Sequence, residues 1–243
     1  MIKILKYEIQ RLLFNKFYIG LFIINGIYAW FILTSDIIAG VAHTAPFSPW
    51  SFGFYLTSVM PMLALTVLFL LTFFYSRNEK QVKILTSATS ADATLYMLIR
   101  IAVVTLGFLL LCILVIVMSF CFYIIFFNYW NFSVYIIPVL IIILPCFMFV
   151  VGAGFLAGQF NSGFLYILML IFIAMNFIQI TDLSWDFFGK NYFSVIPALT
   201  QVTTGGEPEF VLNTEFLVVR AFYFIFGIVL LVVGVLRCKK RNR

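Results

Sequence analysis

The chain has 243 residues, of which 64% are hydrophobic, 19% aromatic and only 10% charged. A soluble domain carries about a quarter charged residues, so this composition excludes a water-exposed globule and fits a chain whose outer surface meets hydrocarbon. The formal charge of +6 does not indicate nucleic acid as a partner, because the basic residues gather at the ends of apolar runs, as membrane topology requires.

In chain order, the first element is patterned for an interface. Ile2, Leu5, Ile9, Leu12 and Leu13 recur at helical spacing, with Lys3, Lys6, Glu8 and Arg11 mostly between them. This predicts an amphipathic helix over 1–16 lying in the membrane surface, its basic side chains reaching lipid phosphates. The segment is long for the basic region of a cleaved signal peptide and carries Glu8. The small residues Ala39-Gly40-Val41-Ala42 lie too far beyond the apolar run to serve as its cleavage site.

Six apolar runs follow: Phe17–Ile37, Phe52–Tyr75, Leu98–Phe127, Val134–Leu156, Phe164–Ile180 and Phe216–Leu236. Crossing a hydrocarbon core of about 30 Å takes roughly 20 helical residues, and helix is required because an unpaired backbone group in lipid costs several kcal/mol. The fifth run is the shortest; the third is long enough to tilt or to project into water. The predicted fold is therefore an all-α integral membrane protein. It is one transmembrane domain over 1–243, with six transmembrane helices, the interfacial helix 1–16, a polar connection 76–94 and an outer loop 181–215.

Orientation follows from charge. Lys3, Lys6, Arg11 and Lys16 precede the first span; Arg77, Lys80, Lys83 and Arg100 lie at the second connection; Arg237, Lys239, Lys240, Arg241 and Arg243 follow the last span. On the other side stand Lys190 and Arg220 with Asp182, Asp186, Glu207, Glu209 and Glu215. That asymmetry predicts both termini in the cytosol, in agreement with an even number of spans.

The 76–94 connection is the most polar cytosolic segment. Val82, Leu85 and Ala88 share one helical face, which predicts a short surface helix, and Ser90 is placed to cap the helix after it, with Thr94 in the first turn. The 181–215 loop holds Leu183, Trp185, Phe187, Phe188, Tyr192, Phe193, Val195 and Ile196, then Pro197. It is too apolar for a solvated loop and too interrupted for a span, so one or two short helices in the outer interface are expected before the last span. Thr203-Thr204-Gly205-Gly206-Glu207-Pro208 then turns in water.

Catalytic chemistry is scarce. His43 is the only histidine, which excludes histidine-pair metal sites and Ser-His-Asp arrangements. The four cysteines, Cys112, Cys121, Cys146 and Cys238, form no C-x-x-C pair and are expected as small apolar side chains. No phosphate-binding G-x-x-x-x-G-K-S/T occurs, so no catalytic residue, metal or cofactor is assigned to this chain. The spans lack the paired carboxylates with which ion-coupled transporters titrate. Asp36 and Arg220, near outer span ends, are either the polar mouth of a substrate path or interfacial residues reaching for water. Gly152, Gly154 and Gly158 form a small-residue face, the last two spaced as G-x-x-x-G, suited to close helix packing within the subunit or across a dimer. Pro61, Pro138 and Pro145 suit bends in a moving bundle or packing alone.

In this order the parts resemble the type-2 ABC exporter permeases, including the small permeases of bacterial lantibiotic-immunity and drug-export systems, over nearly the whole chain. Lys6-Tyr7-Glu8-Ile9-Gln10-Arg11 resembles the mixture of that family's amphipathic elbow helix, and Pro197 follows an apolar stretch where the family has short outer helices. Glu79, Ile84, Leu85 and Ser87 fit the layout of its coupling helix. Val82 and Lys83 stand where the family often has glycine-threonine, and Ala88-Thr89 lacks its proline.

The resemblance implies a permease subunit facing a second, identical or homologous, permease subunit in a bacterial plasma membrane. Separate ABC ATPase subunits would dock beneath, with ATP and Mg bound on those partners and none on this chain. Glu79 would supply a polar contact, while Val82, Ile84 and Leu85 would fill the ATPase cleft. The shortage of intramembrane charge favours an amphipathic or hydrophobic cargo, a peptide, antibiotic or lipid-like molecule drawn from the bilayer; antibiotic resistance or lantibiotic immunity is the family-level role. The alternative is a noncatalytic membrane scaffold or assembly protein whose cytosolic loop binds another partner.

Overall fold

A computed structural model describes residues 2–75, 93–178, 182–204 and 208–241. Among these residues every regular element is a helix. Eight α-helices are α1 (Ile2–Leu13), α2 (Lys16–Ile32), α3 (Pro49–Phe74), α4 (Ala93–Phe127), α5 (Ile136–Phe160), α6 (Ser162–Phe177), α7 (Lys190–Thr204) and α8 (Thr214–Arg241). A π-helical turn, Leu33–Ile37, extends α2, and 3-10 turns cover Phe132–Tyr135 and Leu183–Trp185.

Five helical stretches are long and apolar enough to cross a membrane: Lys16–Ile37, Pro49–Phe74, Leu95–Phe127, Phe132–Phe160 and Thr214–Cys238. This is the make-up of a multi-pass membrane protein. The fifth apolar run, Phe164–Ile180, forms α6, which has 16 residues and, at 1.5 Å per residue, is about 24 Å long, short of a ~30 Å hydrocarbon core.

Local chemistry sets the breaks. Asn15 adopts extended backbone between α1 and α2, and its side-chain oxygen accepts the Phe17 N–H at 3.3 Å, so α1 stops and α2 begins there. Ser48 caps α3 by accepting the Ser51 N–H at 3.1 Å, with Pro49 in the first helical position, where a missing N–H costs nothing. Asn161 ends α5 in extended backbone and caps α6 through Gly163 at 3.2 Å.

The bundle is organised around α3. Of its apolar stretch 72% is buried, against 22% for α8 at the periphery. Polar side chains inside the bundle are spent on joining helices, as expected where no water competes. Tyr18 of α2 donates to the Gly107 carbonyl of α4 at 2.7 Å, and Tyr55 of α3 donates to Val115 of α4 at 2.9 Å. Tyr75, at the end of α3, donates to Phe155 of α5 at 3.1 Å. Asn25 of α2 donates to Thr66 of α3 at 2.9 Å.

These contacts fix which ends lie together. One end of the bundle gathers α1, the end of α3, the start of α4, and the ends of α5 and α8, where Arg237 covers the Phe160 ring at 3.6 Å. The opposite end holds the 38–48 connection, the start of α3, the 128–135 connection, α7 and the start of α8.

The segment between α6 and α8 differs from a helix resting on the surface. Phe187, Phe188, Tyr192 and Phe193 are each no more than 1% exposed. Tyr192 stacks on Phe216 of α8 at 3.9 Å, and Phe187 stacks on Phe172 of α6 at 5.3 Å. Phe193 lies where any side chain on Gly53 of α3 would be. The rings are thus received by the protein core, among α3, α6 and α8.

Candidate functional site

At the end of the bundle that holds α1, a buried carboxylate joins three helices. Glu8 of α1 is 1% exposed. Its Oε1 accepts the Tyr96 hydroxyl of α4 at 2.7 Å, and that hydroxyl in turn accepts Arg100 at 2.7 Å. Arg100 Nε is 3.8 Å from Oε1, and Arg11 is 3.2 Å from Oε2. The Arg100 guanidinium lies over the rings of Tyr96 (4.4 Å) and Phe74 (4.9 Å), and reaches the Phe74 carbonyl at 3.5 Å. Removing a carboxylate from water is costly unless opposite charge and donors surround it; here two guanidinium groups and a phenol do so.

The cluster also has a place in the chain. Tyr75 ends α3, Ala93 begins α4, and the polar connection runs between them. Residues Glu79, Val82, Ile84, Leu85, Ser87 and Ser90, on which the sequence reading placed partner contacts and the cap, lie outside the described residues. Glu8 was expected on the solvated side of its helix; instead it faces the bundle and Tyr7 is exposed. The signal available in the sequence is complementarity, a lone acid in a basic helix and a lone Arg100 in the opening turns of an apolar run.

At the opposite end, Asp36 and Arg220 are not brought together. Asp36 is exposed in the π-turn and accepts the Ser35 hydroxyl at 2.8 Å. Arg220 is 3% exposed; one amino group donates to the Asp186 carbonyl at 2.7 Å and the other to the Phe187 carbonyl. Its guanidinium covers the Phe216 ring at 4.4 Å. Asp186 holds the next helix, its Oδ2 accepting the Asn191 N–H at 2.8 Å. Tyr192 accepts the Asn213 N–H at 2.9 Å, and burial raises its hydroxyl above the ordinary phenol value against the opposing pull of that N–H and of Arg220. Arg220 therefore ties the 183–204 segment to α8, with both amino groups engaged by carbonyls.

The small residues pack within the subunit. Gly154 lies against Leu68 and Leu71 of α3, and Gly158 against the Tyr75 ring. The closest approach is between α5 and α8, where a side chain on Gly152 would meet the Gly227 carbonyl. Gly227 and Gly234 escaped the sequence reading, although their seven-residue spacing puts them on one face of α8. Among the described residues no group of three or more His, Cys, Asp or Glu is gathered as a metal site.

No protein-family model matches the chain, and neither the curated proteins nor the solved structures gave a match.

Proposed function

We propose that the chain is the membrane-spanning permease subunit of an ATP-binding cassette exporter, crossing a bacterial plasma membrane six times with both termini in the cytosol. ATP is hydrolysed on separate ATPase subunits, and an amphipathic or hydrophobic cargo moves through a pair of permease subunits. The observation that carries this reading is the Glu8 cluster. It fixes an amphipathic surface helix to the first turns of α4, directly after the polar 76–92 connection, and to the end of α3, directly before it. A partner pressing on that connection would move α1, α3 and α4 together, which is the mechanical requirement of a coupling segment.

In this reading Glu79 makes a polar contact with the ATPase while Val82, Ile84, Leu85 and Ser87 seat the connection in its cleft. Gentle detergent purification at native expression, followed by mass spectrometry of bound proteins, tests the proposal. A stoichiometric ATPase with phosphate-loop motifs is expected, and it is lost on Glu79→Ala or Leu85→Asp. Well-folded protein that retains no ATPase would instead favour the scaffold reading.

A further inference from the structure

Threonine hydroxyls on α3 bond back to their own helix: Thr57, Thr66 and Thr72 each donate to a carbonyl one turn behind at 2.7–2.9 Å. Ser58, on the same helix and 2% exposed, makes no hydrogen bond through Oγ among the described residues. The Phe54 carbonyl behind it already accepts the Thr57 hydroxyl at 2.9 Å. From α2, the Tyr28 hydroxyl reaches the Ser58 carbonyl at 3.3 Å, beyond the usual range of about 2.5–3.0 Å for an O–H donor. A weakly held phenol, with lone pairs to offer, thus stands beside Ser58. One turn earlier on α2, Asn25 is fully buried and spends both amide protons, on the Leu21 carbonyl at 2.8 Å and the Thr66 hydroxyl at 2.9 Å. Turning the amide over would set Oδ1 against the Leu21 carbonyl, so its orientation is fixed. Asn25 Oδ1 is left with no donor among the described residues.

Both atoms lie well inside stretches long enough to cross a membrane, Lys16–Ile37 and Pro49–Phe74, where an unmet polar atom is costly. The occupant that meets them has to donate to Asn25 Oδ1 and exchange hydrogen bonds with hydroxyls. A hard metal ion needs about six oxygen ligands, more than Asn25, Ser58, Tyr28 and Thr66 supply. We propose that the seam between α2 and α3 holds buried water: one molecule donating to Asn25 Oδ1 and Thr66 Oγ1, another bound by Ser58 Oγ and the Tyr28 hydroxyl. Each has two protein partners, within the roughly two to four that a buried water takes. The positions are separate, because Ser58 and Thr66 are eight residues apart on α3, about 12 Å along the helix. The contact of α2 with α3 is therefore solvated inside the membrane, whether or not the chain works with an ATPase.

The test is X-ray radiolysis of the full chain in maltoside micelles, mixed with heavy-oxygen water milliseconds before exposure. Hydroxyl radicals from bulk water then carry heavy oxygen, and those from water held inside the bundle carry ordinary oxygen. Mass spectrometry should find ordinary oxygen added at Tyr28 and at Met62, which is one turn from both Ser58 and Thr66 on α3. Tyr18 and Tyr55, buried with their hydroxyls on carbonyls at 2.7 and 2.9 Å, should not gain it. Ser58→Ala should abolish the ordinary-oxygen label at Tyr28, and Asn25→Leu the label at Met62. Heavy oxygen alone at Tyr28 and Met62 in the native protein would overturn the proposal without recourse to any variant. So would equal ordinary-oxygen label at Tyr18 and Tyr55, or label that survives both substitutions in proteins of native elution volume.

Discussion

Two side chains carry more of the architecture than their number suggests, because each is a buried ion that the fold has had to surround. Arg220 gives its amino groups to the Asp186 and Phe187 carbonyls. Cutting it to Met strands two buried acceptors at roughly 1–3 kcal/mol each. Arg220→Met should therefore lose about 2–6 kcal/mol in a mixed-micelle SDS unfolding titration, and the 182–204 segment should become accessible to protease before the rest of the bundle. Arg220→Lys, with one compact ammonium in place of a planar fork, should recover part of the loss. Equal protease resistance in the Arg220→Met and native proteins would show that the aromatic packing of Phe187 and Phe188 holds the segment without the arginine. That Arg220 matters was legible, since a cation one turn inside an apolar run is costly wherever it points. Its partners were not, because they are main-chain carbonyls, which no sequence pattern marks.

Elements meet through shape as much as through charge. The α5–α8 crossing has backbone against backbone: a Cβ on Gly227 would come within 2.5 Å of the Met148 carbonyl carbon and the Phe149 nitrogen, where no flexible side chain is present to give way. Gly227→Leu should force the helices apart and cost at least the ~1–3 kcal/mol typical of overpacking. Gly20→Ala on α2, with nothing within 4 Å, should leave the unfolding midpoint native or slightly raised, because alanine is the better helix former; a matching loss at both positions would mean that the crossing is not what the loss reads. Surface helix α1 makes a second case. Its existence follows from amphipathic spacing, but the side on which Glu8 lies depends on which span supplies its counter-charge, and Tyr96 and Arg100 lie in α4, far along the chain. Glu8→Leu removes the anion between two guanidinium groups, a change worth about 3 kcal/mol or more for a buried pair. Amide hydrogen exchange over residues 4–13 should accelerate at least tenfold while exchange in α3 stays unchanged. Native exchange in α1 would show that Leu12 and Leu13, both buried, suffice to dock it.

At the scale of the molecule, the apolar runs were legible because length and hydropathy alone decide whether a helix is able to cross a bilayer, and five stretches among the described residues meet that requirement. The path of the fifth run, Phe164–Ile180, was not, since its length falls below the requirement and its role depends on the 182–204 segment that packs against it. If α6 crosses, Val202 of α7 and Gly163 at the start of α6 lie on opposite sides of the membrane; if α6 is re-entrant, they lie on the same side. A chain in which Cys112, Cys121, Cys146 and Cys238 are changed to Ala, carrying a single His43→Cys, Val202→Cys or Gly163→Cys, separates the two by labelling whole cells with a membrane-impermeant maleimide. His43 and Val202 are both exposed, and a Cβ at Gly163 meets only its own capping neighbour Asn161, at 3.8 Å, so each thiol is accessible without disturbing a packed face. Labelling at 43 and 202 from outside, with 163 reactive only after permeabilisation, is the outcome expected of six crossings. Labelling of 202 together with 163 would reduce the crossings to five, divide the termini between compartments and remove the common cytosolic face that the proposed docking of ATPase subunits requires.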